Sequence, residues 1–321
     1  IHGHDAEDIS DAEWEGLNNR IKTAYRDPLW PERVLRERTH VQWAINDVDG
    51  FNMNRSLFLP AIKFDYLLRV NSEEGRKAIK EMDGAQVATF DEYTDFLDSK
   101  VQQVKSEGAV ALKTVTPYYR GFDYEPVSSA KARSAFRKSG KATPAQQKVV
   151  EDFAFHRIIA QASKVGLPIQ IHTGLLAWNQ IYLPHCDPVQ LNKIFLQYPK
   201  CTFILFHGGY PYTEETGVLA RTFPNVYLDF CWLPWITPYG TVRSLHEWLD
   251  IVPHNKLMWG GDSHRAECVH GHWLLAQEAV VKVLAERMAY KVISADGAQR
   301  TLKGIFRNNA IDLFGLKAEK Q

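Results

Sequence analysis

Three observations predict an α/β fold of parallel strands, one strand short of an eight-stranded barrel. Strand-like and helical segments alternate along nearly the whole chain. The strand candidates, seven in number, are short and apolar on both sides, as strands covered on both faces of a parallel sheet are. Polar residues stand at the same, C-terminal end of four of them. The expected architecture is a (β/α)8 TIM barrel, built as a single domain over residues 1–321. A doubly wound open sheet is the alternative, weakened because no GxGxxG or Walker-type phosphate loop follows any strand.

The elements follow in order. "VQWAIND", residues 41–47, mixes β-branched and aromatic residues and reads as a strand. "SLFLPAIKF", 56–64, is the second, with no clear helix between the two. "TFDEYTDFLDSKVQQVKSEG" reads as a helix that starts at a Thr/Asp cap and stops at Gly108. "AVALKTV", 109–115, is the third strand, and the Lys/Ser-rich stretch 128–141 reads as a surface excursion. A helix over about 144–165 ends at Gly166, followed by the strand "LPIQIHTG". "DPVQLNKIFLQYP" is a helix with Asp187 as cap and Pro188 at its first position. Then come the strand "CTFILFHGG", the helix "YTEETGVLARTFP", the strand "NVYLDFCW", the helix "SLHEWLDIVP" and the strand "KLMWGGDSH". Two helices, about 272–293 and 296–313, end the chain.

Composition excludes several classes of function. Lys+Arg and Asp+Glu are equal at 38 each, so neither a nucleic acid nor an anionic membrane is an expected partner. The apolar runs are strand-sized, which argues against a transmembrane helix. Cys186, Cys201, Cys231 and Cys268 form no CxxC pair and read as free thiols in core or surface positions. With no visible signal peptide, a reduced, cytoplasmic setting is expected.

The chemistry sits at the strand ends. Lys113 ends "AVALK", His172 ends "IQIH", His207 ends "FILFH" and Asp262 ends "MWGGD". Taken singly, each has an ordinary structural role: a hydrogen-bonded core histidine, a snorkelling lysine, a turn aspartate. Together, at the end of the barrel where such enzymes place their sites, they form a candidate metal centre. Imidazole nitrogen and carboxylate oxygen suit zinc, with manganese or iron as alternatives. Asp262 is also placed to take a proton from water.

The runs "ALKTVTPYYRG", "IQIHTG", "FILFHGGYPYTEE", "NVYLDFCW" and "LMWGGDSH", with the ending "IFRNNAIDLFGL", resemble the amidohydrolase superfamily. More narrowly, they resemble its amidohydrolase-related branch of metal-dependent TIM-barrel proteins, which includes the N-terminal region of FluG-like proteins. The resemblance implies that His172 and His207 are the metal-binding histidines after the family's fifth and sixth strands. It implies that Asp262, after the eighth, is both metal ligand and proton shuttle. Lys113 falls after the fourth, where binuclear members carry a carboxylated, metal-bridging lysine; unmodified, it points to the mononuclear members instead. The family's first strand ends in a His-x-His pair. "IHGHD" has that spacing at His2 and His4, but only Ile1 precedes it, so the chain is expected to lack the first strand.

The activity implied is metal-dependent hydrolysis, in which metal-activated water attacks a C–N or C–O bond of a small molecule. The alternatives are a decarboxylase or sugar-acid isomerase of the same superfamily, or a non-catalytic truncated barrel. Expected substrate contacts are Arg120, as a carboxylate clamp, with Tyr118, Trp178, Tyr210 and His264. Trp232 and Trp235 are expected to wall the pocket. Assembly into a homo-oligomer is left open.

Overall fold

Alternating apolar residues give each strand two faces to bury, and the sheet uses both. The computed structural model describes residues 1–3, 9–48, 50–137, 141–177 and 181–317. Seven parallel strands form one sheet whose spatial order follows the chain. They are β1 (Ala44–Val48), β2 (Phe58–Lys63), β3 (Ala111–Thr114), β4 (Ile169–Ile171), β5 (Phe203–Leu205), β6 (Val226–Asp229) and β7 (Leu257–Met258). This is the curled sheet of a TIM barrel left open between β1 and β7 among the described residues, consistent with the expectation of one missing strand.

On β5, Phe203 and Leu205 join the main core under the helices, whereas Ile204 and the following Phe206 face the barrel interior with Cys231 and Met258. The period of two thus divides an outer core from an inner layer. In the inner layer Lys63, Lys113 and Gln170 lie in register on β2, β3 and β4.

The helices form where caps and apolar faces agree. Phe90–Ser106 starts at Thr89, whose hydroxyl accepts from the Glu92 N–H while the Glu92 carboxylate accepts from the Thr89 N–H. Pro144–Val165 starts at Thr143 with Pro144 in its first turn and ends at Gly166, which has a left-handed φ of 67°.

Several elements differ from expectation. The helix Glu73–Asp83 was not anticipated, and the stretch 128–141 contains the helix Ser129–Ala135, whose Ala132 and Ala135 are buried. The segment after Asp187 is a 3-10 turn, Pro188–Leu191, before the helix Asn192–Gln197, although Asp187 does cap it by accepting from the Val189 N–H. β7 is only two residues long. The next helix starts early, at Ala266. The final helix is broken by a π turn, Gly304–Asn308, beside Asn309. The Asn309 amide donates to the carbonyls of His254 and Leu257, at 2.7 and 2.8 Å, and so ties this segment to β7. No helix among the described residues is long and apolar enough to cross a membrane.

Candidate metal centre

His172 directly follows β4, His207 follows β5, Cys231 follows β6 and Asp262 follows β7, so one end of the sheet gathers all four. The loops carrying the two histidines pack tightly. At Gly174, with φ of 68°, a Cβ would lie 2.3 Å from the Tyr210 carbonyl oxygen, so only glycine allows this approach.

His172 and His207 are both buried, and His207 Nε2 lies 3.1 Å from His172 Nδ1. The other nitrogen of His172, Nε2, donates to the Leu175 carbonyl at 3.1 Å. That bond leaves Nδ1 of the neutral ring as a lone pair facing His207. Burial, reinforced by the positive charge of Lys113, pushes His172 down to about 3. Burial, then His172, then Lys113 hold His207 well below the ordinary histidine range. Both rings are therefore neutral at pH 7, the form a metal requires. The 3.8 Å separation of His207 Nδ1 and Asp262 Oδ2 is thus not an ion pair.

The Trp232 ring stacks on His207 at 4.5 Å, and its indole N–H donates to the Asp262 backbone carbonyl at 2.6 Å. Among the described residues, five non-glycine residues have positive φ, and three are His207 (62°), Trp232 (65°) and Asp262 (39°). Such backbone costs on the order of 1–3 kcal/mol per residue and persists where the surroundings enforce it. β7 stops at Met258, opposite Asp229 at the end of β6, and the next ladder position is taken by the Asp229 carboxylate, which accepts from the Gly260 N–H.

Asp262 itself is raised by burial, with Lys113 opposing and Asp47 adding to the shift. Two residues not anticipated from the sequence complete the centre. Asp229 accepts from the N–H groups of Cys231 (2.9 Å) and Gly260 (3.1 Å), pinning the end of β6 to that of β7. Burial pushes its carboxyl up to about 6. Cys231 places Sγ 3.3 Å from His207 Nδ1. Asp229 carries the signal that flagged the other residues, a charge ending an apolar strand; a lone cysteine carries none.

The remaining sequence candidates are placed as follows. Lys113 is buried with Nζ 3.2 Å from the centroid of the Phe206 ring, a cation–π contact. Tyr118 sets its ring edge against His172 at 5.1 Å, and its hydroxyl accepts from the Ala177 N–H. Tyr210 is half-buried against the main core, and its carbonyl accepts from the Leu175 N–H. His264 is exposed at the rim of a cavity of about 1450 Å³ that fills the open side of the barrel. Trp232 and Trp235 line this cavity, with Asp229, Asp262 and His272. The expected clamp, Arg120, turns elsewhere: its guanidinium donates to Glu151 (3.0 Å), Asp152 (2.8 Å) and Asp123 (3.1 Å) and lies over the Tyr124 ring. His2 pairs with Glu267 at 3.1 Å, away from His172 and His207. His4 and Trp178 lie outside the described residues.

The amidohydrolase family profile matches residues 102–316, more than half of the chain and every strand-end residue discussed above. The chain belongs to the amidohydrolase family. It is 31% identical over 175 residues to protein fluG of Emericella nidulans, covering 50% of this chain and 20% of that protein, so the match spans about a fifth of its relative. Among solved structures, a Lactobacillus casei protein provisionally described as a metal-dependent hydrolase matches with a TM-score of 0.73 at 19% identity, covering 89% of this chain and 76% of that one. Uronate isomerase from Thermotoga maritima matches with a TM-score of 0.75 at 18% identity, covering 95% and 74%. At these identities the structural likeness is one of fold.

The residues of this family member fit a divalent ion. His172 Nδ1 and His207 Nε2 face one another as neutral electron-pair donors 3.1 Å apart, a separation two ligands of one ion would have, while the Asp262 carboxylate lies 3.8 Å from the other nitrogen of His207, Nδ1. Family and donor set support a divalent metal without naming it.

Proposed function

We propose that this chain is a metal-dependent hydrolase of a small molecule, cleaving a C–N or C–O bond. The observation that carries the reading is the convergence of His172 Nδ1 and His207 Nε2 at 3.1 Å, with Asp262 3.8 Å from Nδ1 of the same His207 ring. Zinc fits these donors, held by His172, His207 and Asp262. When bound, the ion supplies Lewis-acid activation of water and of the substrate oxygen. Asp262, raised by burial, is a better proton acceptor than an exposed aspartate and takes the proton from the attacking water. Trp232 holds Asp262 and His207 in place. Trp235 and the other cavity walls bury the substrate, with His264 at the rim and Tyr118 against His172. Lys113 adds positive charge close to the reacting groups.

The test is turnover of a panel containing amides, esters, lactones and sugar acids by zinc-reconstituted protein and its Asp262→Asn variant. Hydrolysis, falling by about 10²-fold or more in Asp262→Asn, is expected. Release of CO₂ or aldose–ketose interconversion without hydrolysis would assign the decarboxylase or isomerase chemistry instead.

A further inference from the structure

The two ring nitrogens of His207 face different partners, and only one side belongs to the His172 pair. Nε2 faces His172; Nδ1 faces Cys231 Sγ at 3.3 Å and Asp262 Oδ2 at 3.8 Å. One ligand atom each from His207, Cys231 and Asp262 lies within 4.8 Å of the other two. Bonds of about 2.0–2.3 Å to a tetrahedral zinc place ligand atoms roughly 3.3–3.6 Å apart, so small side-chain shifts close this set. His207 and Cys231 are fully buried, while Asp262 keeps 28% of its side chain exposed toward the cavity. Three protein ligands with one open side is the arrangement of a catalytic rather than a structural zinc site.

We propose that His207 Nδ1, Cys231 Sγ and Asp262 form a thiolate-containing position for a thiophilic divalent ion, distinct from the position between His172 and His207. It rests on the same divalent-ion chemistry as the function proposed above, but uses the other nitrogen of His207 and Cys231 in place of His172, with Asp262 common to both. Charge favours it in a buried setting: one thiolate and one carboxylate neutralise the dication, whereas two neutral imidazoles and one carboxylate leave a net positive charge. Tautomer chemistry makes the two positions alternatives. When Nδ1 of His207 binds the ion, its Nε2–H donates to the His172 Nδ1 lone pair. When Nε2 binds, Nδ1–H donates instead to the Cys231 carbonyl, 3.4 Å away. Filling the thiolate position breaks the Cys231 S–H bond; the sulfur keeps the electron pair and bonds the ion, and the proton leaves to solvent. Soft ions such as zinc, cobalt and cadmium select this side, and manganese does not.

The test is a Co²⁺ titration of the full chain under reducing conditions, followed by absorption and elemental analysis. A sulfur-to-cobalt charge-transfer band is expected in the parent and in Cys268→Ser, which removes the exposed thiol. It is expected to persist in His172→Ala and to vanish in Cys231→Ser and Cys231→Ala. Cobalt bound without that band in the parent overturns the thiolate position and leaves the metal-dependent reading standing. A band that survives both Cys231 variants, or that depends on Cys268, also overturns it. Failure of the parent to bind cobalt at all overturns both. The parent spectrum decides the matter even where a variant does not fold.

Discussion

His172 Nδ1 faces His207 Nε2 at 3.1 Å inside a buried pocket, and this pair ties stability to pH. An unfolded histidine takes up its proton near pH 6.5, whereas folded His172 does so only near 3. Between these values the unfolded state binds more protons, so His172 withdraws stability as the pH falls. Asp229, raised to about 6, acts in the opposite sense as the pH drops through 6, so the parent alone is ambiguous. The informative quantity is the difference between metal-free parent and His172→Asn. From pH 6.5 to 4 the parent should lose stability relative to the variant, by up to about 1.4 kcal/mol per pH unit. Urea denaturation at pH 7, 5.5 and 4 measures this; a constant difference would mean that the His172 ring is not held neutral.

Lys113 decides between one metal and two. Its Nζ stands 3.2 Å from the Phe206 ring centroid, where the negative face of the ring attracts an ammonium and repels a carboxylated lysine. The expected outcome is that Lys113→Ala keeps the parent's metal content while substrate binding weakens. Loss of one of two ions, with partial rescue by short carboxylic acids, would instead establish the bridge.

Arg120 is expected to matter for stability and not for substrate. Its removal takes the guanidinium from Glu151 and Asp152, whose side chains are only 10% and 4% exposed, and leaves Glu151 with the Gln147 amide alone. Arg120→Ala should cost roughly 3 kcal/mol, a typical penalty for breaking a buried pair, with Lys148 still partnering Asp152. Denaturant midpoints test this. A variant as stable as the parent but with a raised KM would restore the clamp.

What the sequence revealed and what it hid follow from how local each signal is. The helix Pro144–Val165 was legible because Thr143, Pro144, Gln146 and Gly166 each act within a few residues of themselves. The strand-end histidines were legible because a polar side chain in an apolar run is costly unless it is used. The helix Glu73–Asp83 carries the same kind of local signal, a Ser72 cap and a left-handed Gly84, and was legible on that ground although few of its residues are buried. The Arg120 partners were hidden because Glu151 and Asp152 come from a helix some thirty residues on, and nothing near "YYRG" announces them. Cys231 gained its meaning only when the ends of β5, β6 and β7 came together.

Both proposed ion positions at the strand ends depend on His207. Elemental analysis of purified full chain after zinc reconstitution and removal of loose metal tests this dependence most directly, with His207→Ala alongside. Because His207 belongs to both ion positions, about one zinc per chain is expected in the parent and almost none in the variant. No zinc in the parent, or equal zinc in a folded His207→Ala, would contradict the account.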